Sequence, residues 1–282
     1  MEVGIYTFAK KHYRNIEKCG SSMIRGQWLV DHWPEAELYR EGKKYDVIIF
    51  QKVWLEELYD GFDGIKILDL CDPEWIQSNW PIKKIAKKVD AITVSSKGLY
   101  DELKKIVDCE VIWIDDRVNL DYVGGHKKKH IAGRAETVGW FGYSGNGFNV
   151  LDPVKGHIYT EQLKLNVISD KEIRFPTINS QTKFKEFSWD KLIFDLLECD
   201  FILNPPLNNS FGKYKSLNKT YLAWALGIPV AHNIGEFKEF IDGDKRKLAG
   251  ESVYNIVRKD FDIKQSVKQY QELIKKICNN KK

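Results

Sequence analysis

Residues 213–231 read KYKSLNKTYLAWALGIPVA. A lysine-rich polar turn runs directly into a helical pattern with Tyr221, Leu222, Ala225 and Leu226 on its apolar side. The pattern ends at Gly227, before a short strand that contains Pro229. A helix followed at once by an apolar strand is the repeating unit of a parallel sheet, and the same alternation runs through the chain. In the first half, residues 3–8 (VGIYTF), 46–50 (DVIIF), 65–70 (IKILDL), 91–94 (AITV) and 111–114 (VIWI) are apolar and β-branched, as strands buried on both faces are. Residues 96–106 (SKGLYDELKKI) predict a helix capped by Ser95 or Ser96, with Leu99, Leu103 and Ile106 on one face. In the second half, residues 137–141 (TVGWF), 163–168 (LKLNVI), 200–203 (DFIL) and 228–231 (IPVA) restart the pattern.

Between the halves, residues 123–134 (VGGHKKKHIAGR) are basic, flanked by glycine and poor in groups to bury, which predicts a linker. The expected organisation is α/β: a doubly wound, Rossmann-like domain over 1–130, a second over 136–260, and a terminal helix over 261–282. Ile263, Val267, Tyr270, Leu273 and Ile277 give that helix an apolar stripe that needs a surface to pack on. Ligands of open parallel sheets bind beyond the carboxyl ends of the strands, so two facing halves predict a site in an interdomain cleft.

At 282 residues, 43% of them hydrophobic and 30% charged, the chain has enough apolar surface to order two domains. Forty-four Lys plus Arg against 40 Asp plus Glu give +4, which permits a polyanionic partner without requiring one. Cys19, Cys71, Cys109, Cys199 and Cys278 stand singly, with no C-x-x-C pair, so neither a zinc finger nor a disulfide scaffold is indicated. No segment approaches the ~18 apolar residues of a membrane span. A soluble cytoplasmic protein is the expectation.

Lys213, Lys215 and Lys219 gather positive charge at a helix start, where backbone N–H groups and the helix dipole already favour an anion such as a diphosphate. The plainer alternative is a solvated basic helix end. Residues 142–147 (GYSGNG) follow a strand, so backbone near Gly142, Ser144 and Asn146 is placed to approach a phosphate, or else forms an ordinary βα turn. The G-x-G-x-x-G spacing fails and there is no G-x4-G-K-[ST], which opposes a nicotinamide-dependent oxidoreductase and a P-loop NTPase. Asp69 and Asp72 end a first-half strand. Asp72 is the candidate to take a proton from an acceptor hydroxyl, although an Asp beside Pro73 also suits a turn cap. Asp115 and Asp116 end the next candidate strand and are weaker candidates. Asp242-Gly243-Asp244 follows a helical pattern and reads as a tight turn rather than a metal motif, and His126 and His130 lack further ligands. No metal is expected. Arg25, with Lys10, Lys11, His12, Arg14 and Lys18, gives the first βα loop a basic face.

The chain resembles the GT-B nucleotide-sugar glycosyltransferases of the group 1/family 4-like type. The resemblance rests on Lys215-Ser216-Leu217-Asn218-Lys219, on residues 225–230 (ALGIPV), on 138–142 (VGWFG) and on 199–205 (CDFILNP) in the second half. In the first half it rests on residues 20–26 (GSSMIRG) and 112–119. Many retaining members carry a pair of glutamates spaced E-x7-E, the second contacting the donor ribose; Tyr214 and Leu222 stand at those positions here.

The resemblance implies a GT-B fold and transfer of a sugar, a hexose by expectation, from a nucleotide-diphosphate-sugar donor to an acceptor hydroxyl, with no cofactor. The second domain would bind the donor through Gly142, Ser144, Asn146, Lys213, Lys215, Ser216, Asn218 and Lys219. The first would hold the acceptor, with Arg25 and Asp72 as its catalytic residues, and the last helix would pack back on it. The implied acceptor is a cell-surface glycan or a lipid-linked molecule, with Lys275, Lys276, Lys281 and Lys282 available for loose contact with an anionic membrane surface. The alternatives are a hydroxylated base in DNA and a non-catalytic nucleotide-binding or scaffold module.

Overall fold

The computed structural model describes residues 1–13, 15–207 and 210–281. Arg14 of the expected basic loop and Lys282 of the expected membrane-facing lysines lie outside the described residues.

The β-branched runs form two parallel sheets. The first has β1 (Val3–Tyr6), β2 (Ala36–Leu38), β3 (Val47–Gln51), β4 (Ile65–Leu70), β5 (Ala91–Val94) and β6 (Glu110–Trp113), in the order β2-β1-β3-β4-β5-β6. The second has β7 (Thr137–Gly142), β8 (Lys164–Ser169), β9 (Thr182–Glu186), β10 (Phe201–Leu203) and β11 (Val230–Ala231), in the order β11-β10-β7-β8-β9. Register places Ile49 between Ile5 and Ile67 in the first sheet, and Val138 between Phe201 and Leu165 in the second. Every residue of β3 and β5 is buried, as sheets covered by helices on both faces require.

Two strands escape the sequence patterns, and both are edges. β2 is three residues, AEL, with no β-branched side chain, and β9 is TKFKE, with lysines along an outer strand that discourage further pairing.

The chain divides into two units. The first holds residues 1–119, the four residues Tyr214–Leu217 and the segment from Asp262 onward; the second holds Leu120–Lys213 and Asn218–Phe261. The first boundary thus falls before the basic stretch, which is no free linker. Within the second unit the Lys128 amide donates to the Leu226 carbonyl at 2.8 Å, its ammonium donates to the Leu197 carbonyl at 2.9 Å, and the His130 ring meets the Gly227 carbonyl at 2.8 Å. A helix ends at Gly227, where φ is +67°, and its last carbonyls carry the partial negative charge that a basic segment satisfies.

Residues 242–244 are a helix start. The Asp242 carboxylate accepts from the amides of Asp244 (2.9 Å) and Lys245 (3.0 Å) and caps the helix Gly243–Asp260. The last helix, Ile263–Asn280, groups with the first unit and buries Ile263, Val267, Tyr270, Leu273, Ile274 and Ile277, each worth about 1.5–3 kcal/mol when taken from water. Among the described residues no helix is long and apolar enough to cross a membrane.

Candidate active site

In the second unit, β7 ends at Gly142, whose φ of +149° is one that side chains rarely adopt. A Cβ there would lie 2.4 Å from the ammonium nitrogen of Lys219, so the bare glycine is what lets that lysine approach. Lys219 is the second residue of the helix Asn218–Ala225, and its ammonium stands 5.2 Å from the centre of the Trp140 ring. The structure therefore brings together two expected donor-binding residues 77 positions apart, Gly142 and Lys219, at the carboxyl end of a strand and the amino end of a helix.

Ser144 and Asn146 lie in the first turn of the helix Ser144–Leu151. The amide of Ser144 donates to Asp170 at 2.7 Å and its hydroxyl to the same carboxylate at 3.2 Å. That carboxylate already occupies the helix start as an internal anion. Burial works to raise the pKa of Asp170, but the bonds from Ser144 outweigh it and hold the carboxyl below its usual range. Lys213 is exposed, and Asn218 and Lys219 are half-buried.

A polar array beside this point has no counterpart in the sequence expectations. His232, just past β11, donates its amide to Glu236 at 2.7 Å and sets ring Nδ1 3.2 Å from the same carboxylate oxygen. With Nδ1 facing the carboxylate, Nε2 accepts the Thr220 hydroxyl at 3.0 Å, and Asn204 donates to that hydroxyl oxygen at 3.2 Å. The sequence signal was there to find: a His and a Glu four apart across the strand-to-helix turn that follows the Pro-containing strand.

In the first unit Arg25 is not on an open basic face. It sits in a π-helical turn, Met23–Gln27, and is 3% exposed. Its Nε and Nη2 donate to the two oxygens of Asp69 at 2.7 and 2.5 Å, and Nη1 donates to Asp116 at 2.7 Å and to the Ile114 carbonyl at 2.9 Å. Asp69 also accepts from Thr93 (2.6 Å) and from the Tyr270 hydroxyl (2.8 Å), which the last helix supplies. One cation between two carboxylates, all nearly dry, is a structural arrangement: no donor of the guanidinium faces solvent. Burial pushes the Asp116 carboxyl up, and Arg25 pulls it only part of the way back.

Asp72 lies just past β4. One of its oxygens accepts from Lys52 at 2.8 Å and the other from Lys215 at 2.6 Å. Burial works to raise its pKa, but the two ammoniums outweigh burial and hold the carboxyl below the usual aspartate range. Lys52 adopts the left-handed region with φ +52°, donates its backbone N–H to the Asp69 carbonyl at 2.9 Å, and also pairs with Glu74 at 2.7 Å. Lys215 belongs to Tyr214–Leu217, a strap of four residues held to this unit at three successive positions. The Ser96 hydroxyl donates to the Tyr214 carbonyl (2.7 Å), Lys215 reaches Asp72, and the Ser216 hydroxyl donates to Asp116 (2.6 Å). So Lys215 and Ser216, expected in the donor-binding set with Lys219, group with the other unit. Of the tail lysines, Lys276 is paired with Glu110 and Lys281 with Asp90. Among the described residues no three His, Cys, Asp or Glu side chains gather as a metal site would need.

Two α/β units, each built on a parallel sheet and the first completed by the last helix, define the fold class: the chain has a GT-B fold. An alpha-glucosyltransferase in complex with UDP is similar at TM-score 0.71 and 11% identity, over 98% of this chain and 100% of that one. A glycosyltransferase from Rickettsia africae ESF-5 matches at TM-score 0.64 and 10% identity, over 99% and 98%. Anabaena HepE in complex with UDP-glucose matches at 0.64 and 10%, over 97% and 99%. No family model matches the chain, and no curated protein matches it.

Proposed function

We propose that this protein is a glycosyltransferase that moves a hexose from a nucleotide-diphosphate sugar to an acceptor hydroxyl of a cell-surface glycan or lipid-linked molecule, in the cytoplasm and without a metal. The observation that carries the proposal is the placement of the Lys219 ammonium against Gly142, in a chain whose fold matches solved glycosyltransferases from end to end. An ammonium beside a helix amino end is preorganised for the charge that grows on a departing diphosphate. Asn218 shares that helix start, and Gly142 keeps the approach open. Neither Tyr214 nor Leu222 supplies a carboxylate, and both are buried; Glu236, oriented by His232, is the acidic group we assign to the donor hydroxyls instead. Asp72 is the proton acceptor in this scheme. Arg25 acts by holding the first unit together rather than by touching substrate.

A thermal-shift screen of UDP-, GDP- and ADP-sugars tests the donor assignment, because a ligand at 100 times its dissociation constant adds about 2.7 kcal/mol of stability. One nucleotide class should raise the transition, and Lys219→Ala should abolish both that shift and sugar transfer. Equal shifts with wild type and Lys219→Ala would overturn the assignment, and donor binding with no transfer to any acceptor would favour a scaffold.

A second reading, transfer to a hydroxylated base in DNA, is favoured by one feature of the first unit. The Phe8 ring lies 4.2 Å from the His12 ring, tilted against it, and 5.1 Å from the Lys52 ammonium, and Tyr13 beside it is exposed, which interleaves aromatic and basic groups. Activity on duplex DNA that falls steeply with salt would select this acceptor.

A further inference from the structure

The two lysines on Asp72 occupy its oxygens one each, at 2.8 and 2.6 Å, and they differ in how firmly they are held. Lys52 is 11% exposed, paired a second time with Glu74, and fixed by its left-handed backbone. Lys215 is 40% exposed, and among the described residues Asp72 is the one carboxylate within 4.0 Å of its ammonium. It also stands four residues from Lys219, within roughly 14 Å of chain. The strap offers a removable cation on one side of the candidate base and a fixed cation on the other.

We propose that Asp72 acts as a stand-in anion for the donor: its carboxylate holds Lys215 until a diphosphate competes for the ammonium, and the exchange frees one oxygen of Asp72 to accept the acceptor's proton. This rests on the donor reading above and adds to it an order of events. While Lys215 is in place each carboxylate oxygen carries an ammonium, and two positive neighbours make the carboxylate a poor base toward an incoming hydroxyl. Donor binding removes one of the two positive neighbours and leaves Lys52 to hold Asp72 in position. The ion pair with Lys215 is thus an autoinhibitory contact, and Lys215 is a positioning residue whose two partners are used in turn.

The exchange has a consequence opposite to that of an ordinary site mutation. Removing the charge of Asp72 should improve donor binding, because the ammonium no longer has to be taken from a carboxylate. A partly exposed ion pair is worth up to a factor of about five in an equilibrium. The test is calorimetric titration of UDP, GDP and ADP into wild type, Asp72→Asn, Lys215→Gln and the double variant, with a thermal melt of each to verify folding. For the nucleotide that binds wild type, Asp72→Asn should bind about threefold to fivefold tighter. Lys215→Gln should bind more weakly, and the double variant should match Lys215→Gln. Should Asp72→Asn unfold, Asp72→Ser read in the same cycle replaces it. Affinity in Asp72→Asn equal to or weaker than wild type would overturn the exchange while leaving the donor reading intact, as would a gain that persists in the Lys215→Gln background. Failure of all three nucleotides to bind wild type would instead overturn the donor reading, and the exchange with it.

Discussion

Replacing Arg25 by Met puts the buried charge network of the first unit under the most direct test. Methionine keeps much of the side-chain length but none of the N–H donors, so Asp69 loses bonds at 2.5 and 2.7 Å and Asp116 loses one at 2.7 Å. Asp69 is 0% and Asp116 4% exposed, so water does not replace what is lost. Removing one partner of a buried ion pair costs about 3–5 kcal/mol. At about 2–4 °C per kcal/mol, the transition of the first unit should fall by about 6–20 °C in scanning calorimetry. Tyr270→Phe removes one hydroxyl from the same network and should cost about 1 kcal/mol, a few degrees at most. The deficit should also depend on pH. Folded Asp116 has a raised pKa, so it keeps its proton to a higher pH than the unfolded chain does. The stability this contributes is complete below the ordinary aspartate value of 3.8 and is lost as pH rises through the raised one. Without Arg25 the pKa rises further, so the variant should fall further behind wild type at pH 8 than at pH 5. A melting temperature within about 2 °C of wild type at both pH values would refute the reasoning.

Other outcomes follow from local geometry. Gly142→Ala places a methyl 2.4 Å from the Lys219 ammonium at φ +149°; the flexible lysine tip should yield, and donor affinity in calorimetry should fall about tenfold, or ~1.4 kcal/mol. Unchanged affinity would count against Lys219 as the anion contact. Asp242→Ala removes the cap of the helix Gly243–Asp260 and should cost about 1 kcal/mol, or about 2–4 °C, with Asp242→Asn close to wild type. The pKa of Asp72 is depressed, so its stability contribution is present above the ordinary aspartate value and lost as pH falls through the depressed one. In Lys215→Gln that loss should begin at higher pH in acid-denaturation curves; superimposable curves would show that Lys215 does not act on Asp72.

The fold was readable where burial acts on both faces of a strand. VIIF in β3, IKILDL in β4 and AITV in β5 carry their signal in consecutive apolar positions, whereas AEL and TKFKE at the edges have one side to solvent and no such run. The basic stretch 123–134 read as a linker because its partners are backbone carbonyls at Leu197, Leu226 and Gly227, which no side-chain pattern advertises. Strand-turn chemistry points to Gly142 and helix-start charge to Lys219, and their meeting is a matter of topology. Arg25 is legible as a charged residue but not as a buried one. Its charge suggested exposure, and the two aspartates that bury it are 44 and 91 positions away. The strap is illegible for the same reason, since Tyr214, Lys215 and Ser216 find partners 118, 143 and 100 positions earlier.

The Tyr270 hydroxyl that closes over Asp69 comes 201 positions later in the chain. At about 5–20 residues per second of ribosomal synthesis, Asp69 and Arg25 wait roughly 10–40 s for the helix that completes their enclosure. Over that interval the surface that receives the last helix, the helix Trp28–Val30 included, is uncovered and the charges are still open to water. Its maturation is then timed by translation of the far end, and a chaperone that covers nascent apolar surface would have its longest engagement there.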